Sequence, residues 1–364
     1  MTAIASVLAS GRRRRDTLGW SRLISASGEG HNVKRVTLED VAAQAGVSRA
    51  LVSIVIRNAP GASTETRKRV LEAADALGYK PDMRARMLAR GRSRHIGTVF
   101  GMIGLNFQFN TLLLDGLYVA AARHGYELIL SAVTKSRDEI RAVETLQGFR
   151  PDAVIMVDPP NPAPVLAGKL PVVAIGWSVD DPAVDVVRTD DRVGMAQAVD
   201  YLAERGHRRI VHIDGGHGEV ARARRAGYVA AMTSIRCQAE IRVISGGETQ
   251  MEGYFAARAL LDDPVLPTAV IAFNDEMAVA VVESLIHAGY RVPQDVSVVG
   301  WDNSALSKLP HTRLTTVAQD TEEMSRLAIE RAVARIEGTP AEPREVVLRP
   351  ELMVRATTGA ARTE

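Results

Sequence analysis

A single cysteine, Cys237, stands in 364 residues, which excludes a disulfide framework and any zinc or iron–sulfur site built from several cysteines of one chain. Aromatic residues make up only 4%, and no apolar run approaches the ~20 residues that a membrane-spanning helix needs. The secretory order is missing as well. The short apolar run 3–9 precedes Arg12–Arg15 instead of following it, and residues 16–30 supply no greasy segment. The expectation is a cytoplasmic protein. Catalytic signatures are also lacking: there is no Gly-x4-Gly-Lys-Ser/Thr phosphate loop, no Gly-x-Ser-x-Gly elbow and no His-Glu-x-x-His helix. The even spacing of His207, His212 and His217 is the best metal hint. His212 falls inside a strand-like run and the other two in turns, so solvent or cap roles are expected. Neither a catalytic residue, a metal nor a cofactor is expected.

What is present is an ordinary globular composition, 46% hydrophobic and 24% charged, long enough for two or three domains. The near-neutral total of +2 hides an asymmetry. Through residue 95 there are 18 Lys and Arg against 8 Asp and Glu, and the remainder holds 27 against 35. A basic quarter on an acidic body points to a polyanion-binding head on a separate core. A basic disordered tail is the competing explanation. Residues 1–36 carry 7 bases against 2 acids, yet 37–95 still hold 11 against 6, so the tail is not the whole cause.

Order is expected from Thr37. Thr37-Leu-Glu-Asp40 sets a capping hydroxyl before an acidic first turn, Leu38, Val41, Ala42 and Ala45 form an apolar stripe, and Gly46 supplies a left-handed stop. Ser48 then caps a helix over about Arg49–Ile56 with Val52, Val55 and Ile56 inward. This is a helix-turn-helix pattern. Arg49, Ala50, Ser53, Ile54 and Arg57 share the other face. In a major groove it offers arginines to guanine and Ile54 to a thymine methyl; outside DNA it is a solvated face with one stray Ile. Ser63 or Thr64 caps a third helix reaching Gly78, with Val70, Leu71, Ala74 and Leu77 inward. After Tyr79-Lys80-Pro81, residues 82–94 interleave Arg84, Arg86, Arg90, Arg92 and Arg94 with Met83, Met87 and Leu88. A segment so short and basic is a poor helix by itself and a candidate for folding against phosphates.

The order Val36-Thr-Leu-Glu-Asp-Val-Ala-Ala-Gln-Ala-Gly-Val-Ser48, Thr66-Arg67, Leu77-Gly-Tyr-Lys-Pro81, Leu88-Ala89 and Ile96-Gly97 resembles the lactose-repressor (LacI/GalR) family of transcriptional regulators over about residues 36–358. The body's own pattern agrees. Short β-branched runs at 96–103, 127–132, 153–157, 172–175, 210–213, 269–273 and 296–299 alternate with amphipathic stretches at 111–123, 193–205, 222–233, 252–261 and 275–288. Strand–helix alternation means parallel α/β sheets. The resemblance implies a helical head on two α/β lobes like those of periplasmic sugar-binding proteins, with a cleft at the strand ends. The domains then read 1–36 as a disordered basic extension, 37–80 as the DNA-binding head, 81–94 as hinge helix and linker, 95–358 as effector-binding and dimerisation core, and 359–364 as tail.

By that resemblance Ser48, Ser53, Ser63 and Thr66 position the head on phosphates, Arg49, Ala50, Ile54 and Arg57 read bases, and Leu88 wedges into the central step. For the cleft it assigns Arg222 as the effector-binding arginine, with Arg224 and Arg225 left to the surface or to salt bridges. Asn274 and Asp275 stand at the start of a helix, where Asp275 either caps that helix or faces ligand. Asp302 matches the family's effector carboxylate. Asn106, Phe109, Trp177 and Trp301 follow strands and are candidates to line the cleft, with core packing the alternative for the tryptophans. Asp190-Asp191 reads as a helix cap. Arg, Asn and Asp together suit the vicinal hydroxyls of a sugar.

Several positions depart from the family pattern. Leu51 and Ile54 replace a hydroxyl and an arginine usual in the recognition helix, Arg57 replaces an Asn, and Asp82 replaces an Asn at the hinge. Asn106-Phe107-Gln108-Phe109 stands where Asn-Pro-Phe-Phe is usual, and Trp177 where a polar residue is usual. The operator half-site is therefore expected to differ from the common family sequence, and the identity of the ligand does not carry over from the family. The expected function is a DNA-binding regulator, a repressor, dimeric on a pseudo-palindromic operator and controlled by a small carbohydrate. A cytoplasmic solute-binding protein and a sugar-processing enzyme on the same lobes are the competing classes.

Overall fold

The computed structural model describes residues 36–57, 59–79, 92–101, 107–134, 136–157, 170–339 and 342–363. The chain divides into two compact units, Met1–Arg86 and Met87–Glu364. In the first, Asp40 N donates to Thr37 Oγ1 at 3.3 Å and Thr37 N donates to Asp40 Oδ2 at 2.8 Å, a reciprocal cap that starts α1 (Leu38–Ala45). Gly46 ends it at φ 63°, a conformation that a Cβ would strain. Ser48 caps α2 (Arg49–Ile56) and Ser63 caps α3 (Thr64–Ala76). Val41, Ala42, Ala45, Val52, Val55, Val70, Ala73 and Ala74 bury one small core. Leu71, expected inward, is 50% exposed. The inward stripe of α3 runs through Val70, Ala73 and Ala74, and Leu71 lies about 100° off it.

The second unit is two lobes of like topology. Lobe 1 holds β1 (His95–Gly101), β2 (Glu127–Val133), β3 (Ala153–Val157), β4 (Val172–Ile175), β5 (Val184–Thr189) and β11 (Glu345–Leu348) in the order 2-1-3-4-5-11, all parallel. Lobe 2 holds β6 (Ile210–Ile213), β7 (Arg242–Ile244), β8 (Ala269–Ala272), β9 (Ser297–Asp302), β10 (Thr315–Ala318) and β12 (Glu351–Met353) in the order 7-6-8-9-10-12, with β12 antiparallel. The helices are α4 (Phe107–Arg123), α5 (Glu139–Gly148), α6 (Asp191–Glu204), α7 (Glu219–Ser234), α8 (Gln250–Leu261), α9 (Asp275–His287) and α10 (Thr321–Glu337). Strands covered on both faces read as continuous apolar runs, and every residue of β3, β4, β6 and β8 is buried. In each sheet the strand order reverses beside its first strand, β1 or β6, and α/β folds bind ligands at the carboxyl ends of strands at such a point.

The chain passes between the lobes three times, each time in one or two residues: Asp190 between β5 and α6, Gln319-Asp320 between β10 and α10, and Arg349-Pro350 between β11 and β12. Helix α10 therefore packs back on lobe 1, where Met324, Ala328, Ile329, Ala332 and Val333 join Leu113 and Leu117 of α4. Another cluster is shared, with Val99, Met156 and Trp177 of lobe 1 continuous with Val220, Phe273 and Met277 of lobe 2.

Two expected boundaries shift. Residues 92–94, assigned to the hinge, belong to lobe 1: Ser93 N and Arg94 N donate to the Asp152 carboxylate at 2.8 and 2.9 Å. Residues 359–362, assigned to a tail, are built into lobe 2. Ala361 N donates to Arg205 O at 2.8 Å, and Arg362 donates to Asp295 O and Leu266 O, each at 2.7 Å. Nor do His207 and His212 serve solvent or caps. Both are buried, His207 beside Gly359 O at 3.2 Å and His212 beside Ile271 O at 2.9 Å. Burial lowers the His212 pKa to about 4, so the ring is neutral at physiological pH.

Candidate functional sites

In the head, burial of Val52 and Val55 fixes the rotation of α2, so Arg49, Ala50 and Arg57 are exposed and Ser53 and Ile54 half-buried. Ser48 Oγ accepts from Leu51 N and Ser63 Oγ from Thr66 N, both at 3.2 Å, while the Ser63 and Thr66 hydroxyls meet at 2.9 Å. These hydroxyls thus stand at two helix N-termini, where the backbone dipole favours an anion. Arg49 Nε lies 2.8 Å from Glu39 Oε1, and Arg57 Nε donates to Ser53 O at 3.0 Å. Leu88 lies outside the described residues.

The second site is a narrow cleft between the lobes. Gly101, Phe109, Asn110, Ile175 and Gly176 line it from lobe 1, Val220, Arg224, Glu248 and Phe273 from lobe 2, and Asp191 and Gln319 from beside the crossings. At its centre Arg224 is almost wholly buried. Nε donates to Asp191 Oδ1 at 3.0 Å, Nη1 donates to Phe273 O at 2.6 Å, and the guanidinium lies 4.5 Å from the Phe273 ring and 4.3 Å from the Trp301 ring. Burial pushes the Asp191 carboxyl upward, and the charge and hydrogen bond of Arg224 oppose that shift. Close approach by two glycines seats the rings. A Cβ on Gly194 would come within 2.5 Å of Trp301, and one on Gly215 within 2.5 Å of Phe273. Gly215 is thus a packing glycine.

The structure redistributes the residues expected at the cleft. Phe109 lines it, and Asn106 lies outside the described residues. Arg222 is overturned: it is exposed on α7 in an ion pair with Glu219, and Arg224, two residues on, occupies the cleft. Trp177 is 5% exposed in the cluster shared by the lobes and does not line the cleft among its described residues. Asn274 is buried, caps α9 through Met277 N at 2.8 Å and donates to the backbone oxygen of Glu248 at 2.8 Å. Trp301 stands behind Arg224, and Asp302 stands behind Gln319, whose Nε2 donates to Asp302 Oδ1 at 2.7 Å. Asp302 holds φ 106°, a strained angle for a residue with a Cβ. Asp275 lies deeper. Its carboxylate accepts from Ser304 N at 2.7 Å, Ser304 Oγ at 2.8 Å and Thr316 Oγ1 at 2.6 Å, and burial still raises its pKa to about 6. Trp301 and Asp302 thus touch residues that line the cleft without lining it among the described residues.

The polar and aromatic lining residues missed by sequence reasoning are Asn110, Asp191, Arg224, Glu248, Phe273 and Gln319. Gln319 is also a tie between lobes, since Thr189 Oγ1 of β5 donates to its Oε1 at 2.7 Å while its amide reaches Asp302 of β9. The lobes meet again where Gln108 N, in the first turn of α4, donates to Glu276 Oε1 of α9 at 3.2 Å. Among the described residues no group of three or more His, Cys, Asp or Glu is placed to hold a metal, and no helix is long and apolar enough to cross a membrane.

Comparison with known proteins bears on both sites. The model of bacterial regulatory proteins of the lacI family matches residues 37–82, and that of the periplasmic binding protein-like domain matches residues 199–358. The chain is similar to the HTH-type transcriptional regulator CelR of Thermobifida fusca, at 35% identity over 336 residues, covering 88% of this chain and 98% of that protein. Among solved structures it is similar to the lac repressor dimer bound to operator and the anti-inducer ONPF, with TM-score 0.81, 28% identity and coverage of 90% and 100%. It is also similar to the complex of CelR with cellobiose, with TM-score 0.64, 33% identity and coverage of 89% and 100%.

Proposed function

The chain belongs to the LacI family of bacterial regulatory proteins, and from that premise we propose how its own residues carry the work. It is a DNA-binding transcriptional repressor whose hold on an operator is set by a small ligand, and it acts as a dimer. We place it in the cytoplasm, with no catalytic role.

The observation that carries the assignment of residues is the division of α2. Val52 and Val55 anchor the helix in the head, which leaves Arg49, Ala50, Ser53, Ile54 and Arg57 along one outward strip. In this reading the strip enters the major groove, with Arg49 and Arg57 donating to guanine O6 and N7 and Ile54 meeting a thymine methyl. Ser48, Ser63 and Thr66 bring helix N-termini to the phosphates. Leu88 is proposed on the sequence alone as the wedge at the centre of the operator.

Ligand control resides in the inter-lobe cleft. A ligand changes DNA affinity only by binding two lobe arrangements unequally. Groups placed to report such a change are those that bridge the lobes, namely Gln319 between Thr189 and Asp302, and Glu276 of α9, which accepts from Gln108 N at the start of α4. A carbohydrate is the proposed ligand: Arg224, Asn110 and Gln319 donate to hydroxyls, Glu248 accepts, and Phe109 and Phe273 offer apolar faces.

The test is selection of bound fragments from a random duplex pool at two salt concentrations. The expected result is a palindrome whose affinity falls steeply with salt, weakened by Arg49→Ala and by Leu88→Ala. Recovery of no sequence preference with or without added sugars overturns the reading.

A further inference from the structure

The last carbonyls of a helix have no intrahelical donor, and the negative end of its dipole lies there, so a helix C-terminus favours a cation. In α10 the turn at Gly338 answers two of them: Gly338 N donates to Arg335 O at 3.2 Å, and Thr339 N to Ala334 O at 2.9 Å. Ile336 O is answered from a distant part of the chain. Arg92 Nη2 donates to it at 3.1 Å, across 244 residues of sequence. Arg92 stands at the start of lobe 1, and the chain before it leads back to the head. The next two residues are held by their backbone, with Ser93 N and Arg94 N on the Asp152 carboxylate. One residue earlier the hold passes to a side chain, and that side chain grips α10.

The other end of α10 starts at a crossing between the lobes. Gln319, two residues before the helix, accepts from Thr189 Oγ1 of lobe 1 and donates to Asp302 Oδ1 of lobe 2, each at 2.7 Å. Between its ends α10 is locked to lobe 1. Ser325 Oγ lies 3.1 Å from Leu113 O of α4, in a notch where a Cβ on Gly116 would come within 2.6 Å of that hydroxyl. Arg335 donates twice to the Asp185 carboxylate of β5, at 2.7 and 2.9 Å. Seventeen residues of helix make a rod of about 25 Å. We propose that Arg92 is the positioning residue through which the arrangement of the lobes reaches the head: α10 turns with lobe 1 about the crossing at Gln319, and Arg92 makes the departing chain follow it. The inference rests on the lobe arrangement governing operator binding, and it names the residue that delivers that control. Lying between two sites does not by itself make a link; non-additivity between its two ends does.

The experiment is a double-mutant cycle on the full chain, and its probe is the palindrome recovered by the duplex selection. Gln319→Ala should change operator affinity at least about fivefold in the wild-type background. With Arg92→Ala present the same change should have less than about a twofold effect, although sites so far apart ordinarily add. Should Gln319→Ala not fold, Thr189→Val cuts the same tie and should behave alike. Arg92 is exposed, so Arg92→Ala should leave the unfolding midpoint in place. Arg92→Lys keeps a donor near the carbonyl and should restore part of the coupling. Equal effects of Gln319→Ala in the two backgrounds overturn the proposal and leave the regulator reading intact. So does a salt slope shallower by about one in Arg92→Ala, which marks a phosphate contact instead. No effect of Gln319→Ala or Thr189→Val in either background overturns control by the lobes, and this proposal with it. Failure of the selection to return any palindrome is a separate result and overturns the regulator reading itself, together with this proposal.

Discussion

Arg49, at the first position of α2, meets Glu39, in the first turn of α1, with Nε 2.8 Å from Oε1 and both side chains more than half exposed. An exposed pair of this kind contributes at most about 1 kcal/mol to stability. Its consequence is direction, since the acid holds a flexible cation in one pose. Glu39→Gln should leave the unfolding midpoint of the head nearly unchanged and reduce discrimination at one position of each half-site, by about 1–3 kcal/mol between bases. Competition binding on operators varied one base pair at a time measures this. An unchanged preference would mean that Arg49 abandons Glu39 on DNA.

Arg222 and Arg224 should separate cleanly in the cleft. Arg224→Ala removes donors at the ligand and strands Asp191, so affinity should drop on the order of tenfold to a hundredfold and stability by about 3 kcal/mol. Arg222→Ala, on the exposed side of α7, should change either quantity little. Isothermal titration and urea unfolding of the two variants side by side decide it.

Arg67 of α3 donates to Ala59 O at 2.9 Å and reaches Val55 O at 3.5 Å, pinning the turn after α2. Arg67→Ala should cost the head about 1–2 kcal/mol through unsatisfied carbonyls. In scanning calorimetry the transition of the head should move down while that of the core stays in place.

Asp275 and His212 oppose each other in acid. His212 has its folded pKa depressed to about 4, so its stabilising contribution is full above 6.5 and is lost as pH falls toward 4. Asp275 has its folded pKa raised from 3.8 to about 6, so its contribution is full below 3.8 and is lost as pH rises through 6. Their effects nearly cancel between pH 4 and 6. Asp275→Asn should therefore lose stability faster than wild type on going from pH 6.5 to 4.5, and His212→Gln more slowly. Denaturant midpoints at the two pH values test the signs.

Where burial is complete the sequence carries the fold openly. Runs 153–157, 172–175 and 210–213 are read to the residue, because a strand covered on both faces is almost wholly apolar, His212 with its bond to Ile271 O being the exception. Strand β5 is missed because Asp185 interrupts it. That carboxylate is buried and held by Arg335 at 2.7 Å, a partner 150 residues away that no local pattern reveals. Strands β11 and β12 are short, half-exposed edges with little periodicity. The cleft arginine is legible in the helix periodicity. Val220, Ala221, Arg224, Gly227, Tyr228 and Ala231 form one buried stripe of α7, so Arg224 is the arginine on the inward face and Arg222 is not. Asp191 likewise heads the stripe Gly194, Met195, Ala198, Val199 and Leu202 of α6. A charged residue inside an apolar stripe was the available signal, and reading Asp190-Asp191 as a cap alone obscured it; only Asp190 caps, through Val193 N at 3.0 Å.

The three crossings have a consequence for how the molecule is made. Chains emerge from the ribosome amino end first, and domains tend to fold as units in that order. The head is complete once Ala76 has emerged. Lobe 1, next in line, cannot finish: it waits for α10 and for its edge strand β11, which are translated after most of lobe 2. For much of synthesis a finished DNA-reading head hangs from a ligand-sensing half that is not yet closed. A chain that stops anywhere before residue 345 lacks an edge strand in both sheets. Both sheets are thus completed only after residue 345, by β11 and β12.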